Sequence, residues 1–335
     1  MDEVTACFNR TRLKNENVRP IVASFIFISS LISTILNIFL LSIVIKFWNT
    51  NFRKQPFCYF VIIMTIPGGI YAATNLIVSG PCSISDCSFI SSDWLMIVLA
   101  TPNTLSHWGY LLAAFSFSIY RFSVFLSSRK SNSKYVIMTC LLSPWLLSAF
   151  ITFTTTFTGC YKRFNRYALQ YTYNCSECSM FYGLFTFQDF NFWAGQILPV
   201  IMLSLYSFII ISIQQKQRSQ AMSRELHLTT QYFIICLFQY LSSFLFYIIP
   251  KIGTGSAWDI IAMNIIGVLN VSVNPIVLFC FNGQIRNSAA NMIDTKTMFS
   301  KTNHSTRIEA NRPTRVLSIR STVTTIAAGH FIRAS

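Results

Sequence analysis

The chain has 335 residues, of which 53% are hydrophobic, 15% aromatic and only 11% charged, with a formal net charge of +15. A soluble domain usually carries about 25% charged residues. A mean hydropathy of +0.48 therefore excludes a surface covered by polar groups in water and makes membrane integration the first reading.

The opening MDEVTACFNR lacks the basic-then-apolar-then-small pattern of a cleaved signal peptide. The first apolar block is therefore expected to act as an uncleaved anchor, with residues 1–21 ahead of it. Windows of about 19 residues predict seven helices, over 22–46, 57–79, 95–121, 135–158, 192–213, 230–250 and 257–281. A helix crosses the hydrocarbon layer with about 20 apolar residues and satisfies its own backbone hydrogen bonds there. A membrane barrel would show alternating segments of about 10 residues, which this chain lacks. The third block is the hardest to bound, because Pro102, Asn103, His107 and Arg121 interrupt it. Beyond Phe281, NGQIRNSAANMI places Ile285, Ala289, Met292 and Ile293 near one face. That pattern predicts a short helix over 282–293 lying on the membrane surface, with Arg286 toward lipid headgroups. Residues 294–335 are polar, basic and rich in Ser and Thr, which predicts a disordered tail, with phosphorylation sites in RVLS and RSTVTT. The expected fold class is an all-α membrane protein, a seven-helix bundle.

Charge orients the bundle. With the N-terminus outside and the C-terminus cytoplasmic, eighteen of the 26 Lys and Arg residues fall on the inner side and eight on the outer. Only Glu225, Asp294 and Glu309 among the acids fall inside, so the whole basic excess lies on one face, as the positive-inside rule requires. Arg10, Arg12, Lys14 and Arg19 locally oppose this, so the first helix alone does not orient the chain. A pI of 9.5 also suits a nucleic-acid binder, but charge scattered over loops without a basic domain argues against that partner.

The same topology sorts the cysteines. Cys7, Cys82, Cys87, Cys160, Cys175 and Cys178 fall outside, an even six that suggests loop-stapling disulfides. A bridge from Cys82 or Cys87 to the 159–189 loop is expected, although six cysteines admit about 15 pairings. The lone CSEC at 175–178 is a weak metal signal. Cys280, at the inner end of the last span, is a candidate for palmitoylation or an inert packed thiol. Asn9 and Asn174 head sequons in outer segments and are glycosylation candidates; Asn270 and Asn303 match the sequon by chance.

Ionisable groups inside membrane helices are costly and are functional candidates by default. Arg121 stands after the third apolar block, where its stem lies in apolar surface and its head reaches the interface. His107 and Asn103 precede it by 14 and 18 residues, which puts all three on one helix face within about 40°. The stripe is consistent with a helix linking an outer pocket to an inner surface, and equally with core packing.

Seven spans, IYRF ending the third and NPIVLFCFNGQIR ending the seventh resemble the rhodopsin-like G-protein-coupled receptors. Asn37, Trp145 and Pro199 match that family's landmark positions in spans one, four and five. The aromatic runs, YRF and the NPxVLxxFNxxIR pattern look most like the nematode serpentine chemoreceptors, class X among them. The resemblance covers roughly residues 20–290. It departs at Tyr120, where the family usually places an acid before the arginine, and in the second span, which has no aspartate. CLFQY at 236–240 replaces the Cys-Trp-x-Pro switch, and Leu278 stands in place of a tyrosine. Asn103 occupies the position at which amine receptors carry aspartate, and Val268 that of the retinal lysine of opsins, so an amine ligand and retinal are not expected.

The resemblance implies a plasma-membrane chemoreceptor, of sensory cilia in the nematode case. A small molecule or short peptide would bind beside Asn103 and His107 in the outer half of the bundle. A heterotrimeric G protein would meet the inner face around Arg121 and Tyr120. Pro199 and the Asn274-Pro275 pair are expected bend points. Glu225, the only acid of the third inner loop, either replaces the missing neighbour of Arg121 as a resting-state lock or is a solvated loop charge. The rival class is a transporter or ligand-gated channel subunit, but no internal repeat, charge ring or filter segment is present. No cofactor, metal or enzymatic activity is expected, since HExxH, GxSxG, P-loop and paired-carboxylate patterns are missing.

Overall fold

The computed structural model describes residues 19–53, 55–85, 87–90, 92–126, 134–165, 169–173, 178–180, 185–215, 220–253 and 256–293. Among them, seven helices are long and apolar enough to cross a membrane. They are α1 (Arg19–Lys46), α2 (Pro56–Ser85), α3 (Asp93–Leu126), α4 (Lys134–Phe157), α5 (Phe187–Gln215), α6 (Gln220–Ile252) and α7 (Ala257–Phe281). Every expected span is present, but four bounds move by about a turn or more, the first being the end of α2, which runs on to Ser85. α3 does not stop at Arg121, and α5 and α6 begin earlier than hydropathy predicts. The extra turns of α5 and α6 are too polar for an apolar window, yet they are helical because they continue packed helices.

α2 is α-helical over Pro56–Thr74, passes through a π turn over Asn75–Ser79, and resumes over Gly80–Ser85. The π turn inserts one residue, and Pro81, just beyond it, has no N–H to return to the α pattern. The helix end is thereby re-aimed, and Cys87, with φ 57°, turns the chain back. Cys82 and Cys87 come to 4.1 Å between Cα atoms and are bonded to each other. The expected bridge from either of them to the 159–189 loop is therefore wrong: that loop closes on itself through Cys160–Cys178. Both pairings are short-range, and hydropathy carries no information about either turn.

α3 is the central helix, packed against α2, α4 and α5; α5 packs on α6, α6 on α7, and α7 on α1 and α2. The seam of α1, α2 and α7 is polar and tight. Asn37 donates from Nδ2 to the Ser33 carbonyl at 2.9 Å, and Ser272 Oγ donates to Ser33 Oγ at 2.7 Å. A Cβ on Gly68 would stand 3.0 Å from Asn37 Oδ1 and 3.3 Å from the Val271 carbonyl. Small residues let helices approach where hydrocarbon supplies no hydrophobic drive between them. The outward faces of α1 and α4 expose Ile38, Ile45, Leu146, Phe150 and Phe153, as expected of surfaces that meet lipid chains.

Between α4 and α5 the chain forms two short antiparallel pairs, β1 (Arg163–Asn165) with β2 (Gln170–Thr172), and β3 (Ser179–Met180) with β4 (Phe185–Thr186). The first pair lies across one end of the bundle. Tyr171 donates to the Thr74 carbonyl of α2 at 3.3 Å, and Asn264 of α7 donates to the Leu169 carbonyl at 3.1 Å. Arg163 pairs with Asp93 of α3 at 3.4 Å. Phe164 and Leu169 are buried among residues of α1, α3 and α7. At the other end a short helix follows α7 over 283–293. Its first N–H groups, on Gln284 and Ile285, donate to Asn282 Oδ1 at 3.1 Å each. Its buried positions are Ile285 and Ser288, and Arg286, which is exposed, donates back to the Cys280 carbonyl at 3.3 Å.

Candidate functional site: a lysine-lined cavity and an ion pair on one helix

Beneath the β1–β2 pair lies a cavity of about 330 Å³. Its walls come from α2 (Tyr71), α3 (His107, Tyr110), the strap (Lys162, Gln170, Tyr171, Thr172, Tyr173), α5 (Gln188, Asn191), α6 (Ser242, Ser243, Phe246, Tyr247) and α7 (Gly267, Asn270, Val271). Ligand pockets run about 300–1,000 Å³ and are mostly apolar with a few convergent polar groups. This one sits at the small end, and its apolar surface is aromatic. Gly267 belongs to the wall because its neighbour needs the room: a Cβ there would stand 3.1 Å from the Tyr71 hydroxyl.

His107 lines the cavity. Asn103, one turn toward the strap, is fully buried behind the wall and does not line it. Its part is to accept a hydrogen bond from Lys162 Nζ at 2.6 Å. Lys162 is half-buried, and its ammonium also lies 5.9 Å from the centre of the Tyr171 ring and 5.7 Å from that of Tyr173. Burial lowers its pKa to about 7, because taking an ammonium out of water disfavours its charged form. The same cause raises the Tyr173 hydroxyl to about 12 and that of Tyr171 well above its ordinary value. Hydropathy treats Lys162 as one more outer-loop charge. The available signal was its place two residues after Cys160, beside a staple that holds it over the bundle.

Beneath the cavity, the α3 stripe passes an aromatic layer. Phe117 meets Tyr232 of α6 at 4.4 Å between ring centres and Phe60 of α2 at 4.7 Å, and Phe60 stacks on Tyr120 at 4.9 Å. Tyr120, expected near the coupling surface, is instead buried in this layer. The hydroxyls of Tyr110, Tyr206 and Tyr232 are buried with no hydrogen-bond partner among the described residues.

Below the aromatic layer, Arg121 Nη2 stands 2.6 Å from Glu225 Oε2 and donates to Thr229 Oγ1 at 3.2 Å. Its side chain is 11% exposed, that of Glu225 56%. The guanidinium is therefore not simply reaching for solvent: it is paired across to α6. Spacing places Glu225 and Thr229 one helical turn apart, so both address the same partner. The α6 end is also tied to α7, since His227 Nε2 lies 2.8 Å from the Phe281 carbonyl and Gln231 Nε2 donates to it at 3.1 Å.

The landmark residues divide. Asn37 is buried at the α1–α2–α7 seam, and Asn274 donates from Nδ2 to Thr65 Oγ1 of α2 at 3.4 Å. Pro199 and Pro275 are buried inside α5 and α7, and Trp145 is half-buried on α4. Cys280 is exposed with a free thiol. Cys7, Asn9, Asn174, Cys175 and the tail lie outside the described residues.

No curated protein matches this chain. Residues 12–303 match a family model described as protein of unknown function, DUF621. That match spans the seven helices, the strap and the paired arginine alike, and the chain belongs to the DUF621 family.

Proposed function

We propose that this protein is a seven-helix receptor of the G-protein-coupled type. In this reading its N-terminus lies outside the plasma membrane, and it senses a small molecule in the cavity under the β1–β2 strap. The reading rests on one observation above all. α3 carries His107 in the cavity wall, Asn103 behind it holding Lys162, and Arg121 against α6 at the opposite end, with stacked rings between. A ligand that favours one packing of the aromatic layer would change the population of the Arg121–Glu225 contact, because differential affinity for two arrangements shifts their equilibrium. Release of that pair frees the α6 end and opens an inner surface to a heterotrimeric G protein. A cavity of about 330 Å³ supports a small molecule over a peptide. The resemblance to nematode serpentine chemoreceptors supports a sensory role and a site in sensory cilia.

Agonist-dependent nucleotide exchange on a purified heterotrimeric G protein, with receptor in lipid nanodiscs, tests this reading. Ligand-gated current in the absence of any G protein would instead establish a channel.

A further inference from the structure

We infer that the cavity takes a small organic anion, a carboxylate on a compact aromatic or hydroxylated body, and that Lys162 is its anchor. The inference names the ligand class for the receptor reading above and rests on the same site.

Among the described residues the wall contains Lys162 and His107 but neither aspartate nor glutamate. Among the described residues the ammonium has one hydrogen-bond acceptor, Asn103 Oδ1 at 2.6 Å, and two tyrosine faces. An ammonium has three donors, so two remain for a ligand. A buried charge costs free energy unless it is paired, and the tyrosine faces compensate only in part. A carboxylate entering the cavity would supply both the missing charge and the missing acceptors. A cationic ligand would meet Lys162 with no counter-ion.

A second, independent observation describes the body that carries the charge: the orphaned wall atoms are oxygens, which call for ligand donors such as hydroxyls. Gln170 Oε1, Thr172 Oγ1, Asn191 Oδ1 and Asn270 Oδ1 belong to wall residues and are buried without a hydrogen-bond partner among the described residues. The great majority of buried polar groups in proteins are paired, so these four orphans, with the Tyr110 hydroxyl as a fifth, mark polar contacts left for the occupant. The amides present either an oxygen or a nitrogen after rotation and so accept ligand hydroxyls. Tyr71, Tyr110, Phe246 and Tyr247 supply the flat apolar walls for a ring. The lowered basicity of Lys162 fits an ammonium awaiting an anion.

The test uses three probes with one body and three charges: 4-hydroxyphenylacetic acid, its primary amide, and tyramine. Binding is read by thermal shift and by calorimetry on the full chain in nanodiscs, for wild type, Lys162→Met and Lys162→Arg. The inference expects the acid to bind at least tenfold more tightly than the amide, tyramine not to bind, Lys162→Met to erase the acid preference, and Lys162→Arg to keep part of it. The arginine variant shows that the methionine result is a loss of charge and not of folding. Equal binding of acid and amide, preference for tyramine, or no acid-selective shift overturns the inference. Failure of the receptor reading looks different: acid-selective binding that depends on Lys162, with no nucleotide exchange on a G protein.

Discussion

Arg121 of α3 and Glu225 of α6 lie 104 residues apart in the chain, yet their charged atoms stand 2.6 Å from one another. A solvated loop glutamate would have no reason to adopt that geometry. With Tyr120 packed into the aromatic layer, the pair joins two helices instead of neighbours on one.

Glu225→Gln is expected to raise basal nucleotide exchange. The carboxylate is more than half exposed, so the pair is worth about 0.2–1 kcal/mol, and its loss shifts a two-state equilibrium up to about fivefold. Thr229→Val should give a smaller rise. Basal exchange at equal surface expression is the measurement, and unchanged activity in Glu225→Gln rules out the lock.

Acid-probe affinity should depend on pH through Lys162. Its pKa is lowered to about 7 by burial, so the ammonium is present below that pH and lost above it. Anion binding is therefore strongest on the acid side and weakens toward pH 9, by up to about tenfold per pH unit. The titratable groups that share the cavity with Lys162 are His107 and Tyr110 of α3, Tyr71 of α2, Tyr247 of α6, and Tyr171 and Tyr173 of the strap, the last two with their rings against the ammonium. Burial pushes the Tyr173 hydroxyl up to about 12 and that of Tyr171 well above its ordinary value, so neither interferes in this window. His107→Asn controls for the histidine: calorimetry from pH 6 to 9 should show the same decline in that variant and none in Lys162→Met.

The Cys160–Cys178 bond closes a loop with a sequence separation of 18, a constraint worth about 3 kcal/mol in the chain-entropy description. The double variant Cys160→Ser/Cys178→Ser should keep its helical circular dichroism but lose most acid-probe affinity, because the strap holding Lys162 is released. Peptide mapping without reduction should recover Cys160 linked to Cys178 and Cys82 to Cys87. A fragment joining Cys82 or Cys87 to Cys160 or Cys178 would refute both pairings.

Gly68 and Gly69 make a matched pair. A Cβ on Gly68 meets Asn37 Oδ1 at 3.0 Å and backbone at 3.3 Å, whereas on Gly69 it meets only Asn37 Cβ at 3.5 Å. Gly68→Ala should therefore lower the melting temperature of the purified protein, at an overpacking cost of about 1–3 kcal/mol, and Gly69→Ala should leave it nearly unchanged. Equal effects would mean that the α1–α2–α7 seam is looser than described.

Orientation is open to direct measurement. Epitope tags on both termini of intact cells should show the N-terminal tag outside and the C-terminal tag only after permeabilisation. Both tags on one side would end the receptor reading.

By itself the sequence determined the seven helices, because apolar runs of bilayer length leave the backbone no alternative to helix in hydrocarbon. The α3 stripe was legible too, since helical period alone puts Asn103, His107 and Arg121 on one face. Only the tertiary structure decided which groups those residues meet. Lys162 closes over Asn103 because a disulfide and a hairpin fold the loop back, and neither leaves a hydropathy signal. Cys82 turns to Cys87 because a π turn re-aims the end of α2. Glu225 reaches Arg121 because α6 continues as helix through a stretch that composition reads as loop. Periodicity reports which way a residue faces; partners across helices depend on turns and helix ends, whose geometry is set by a few backbone angles that composition does not encode.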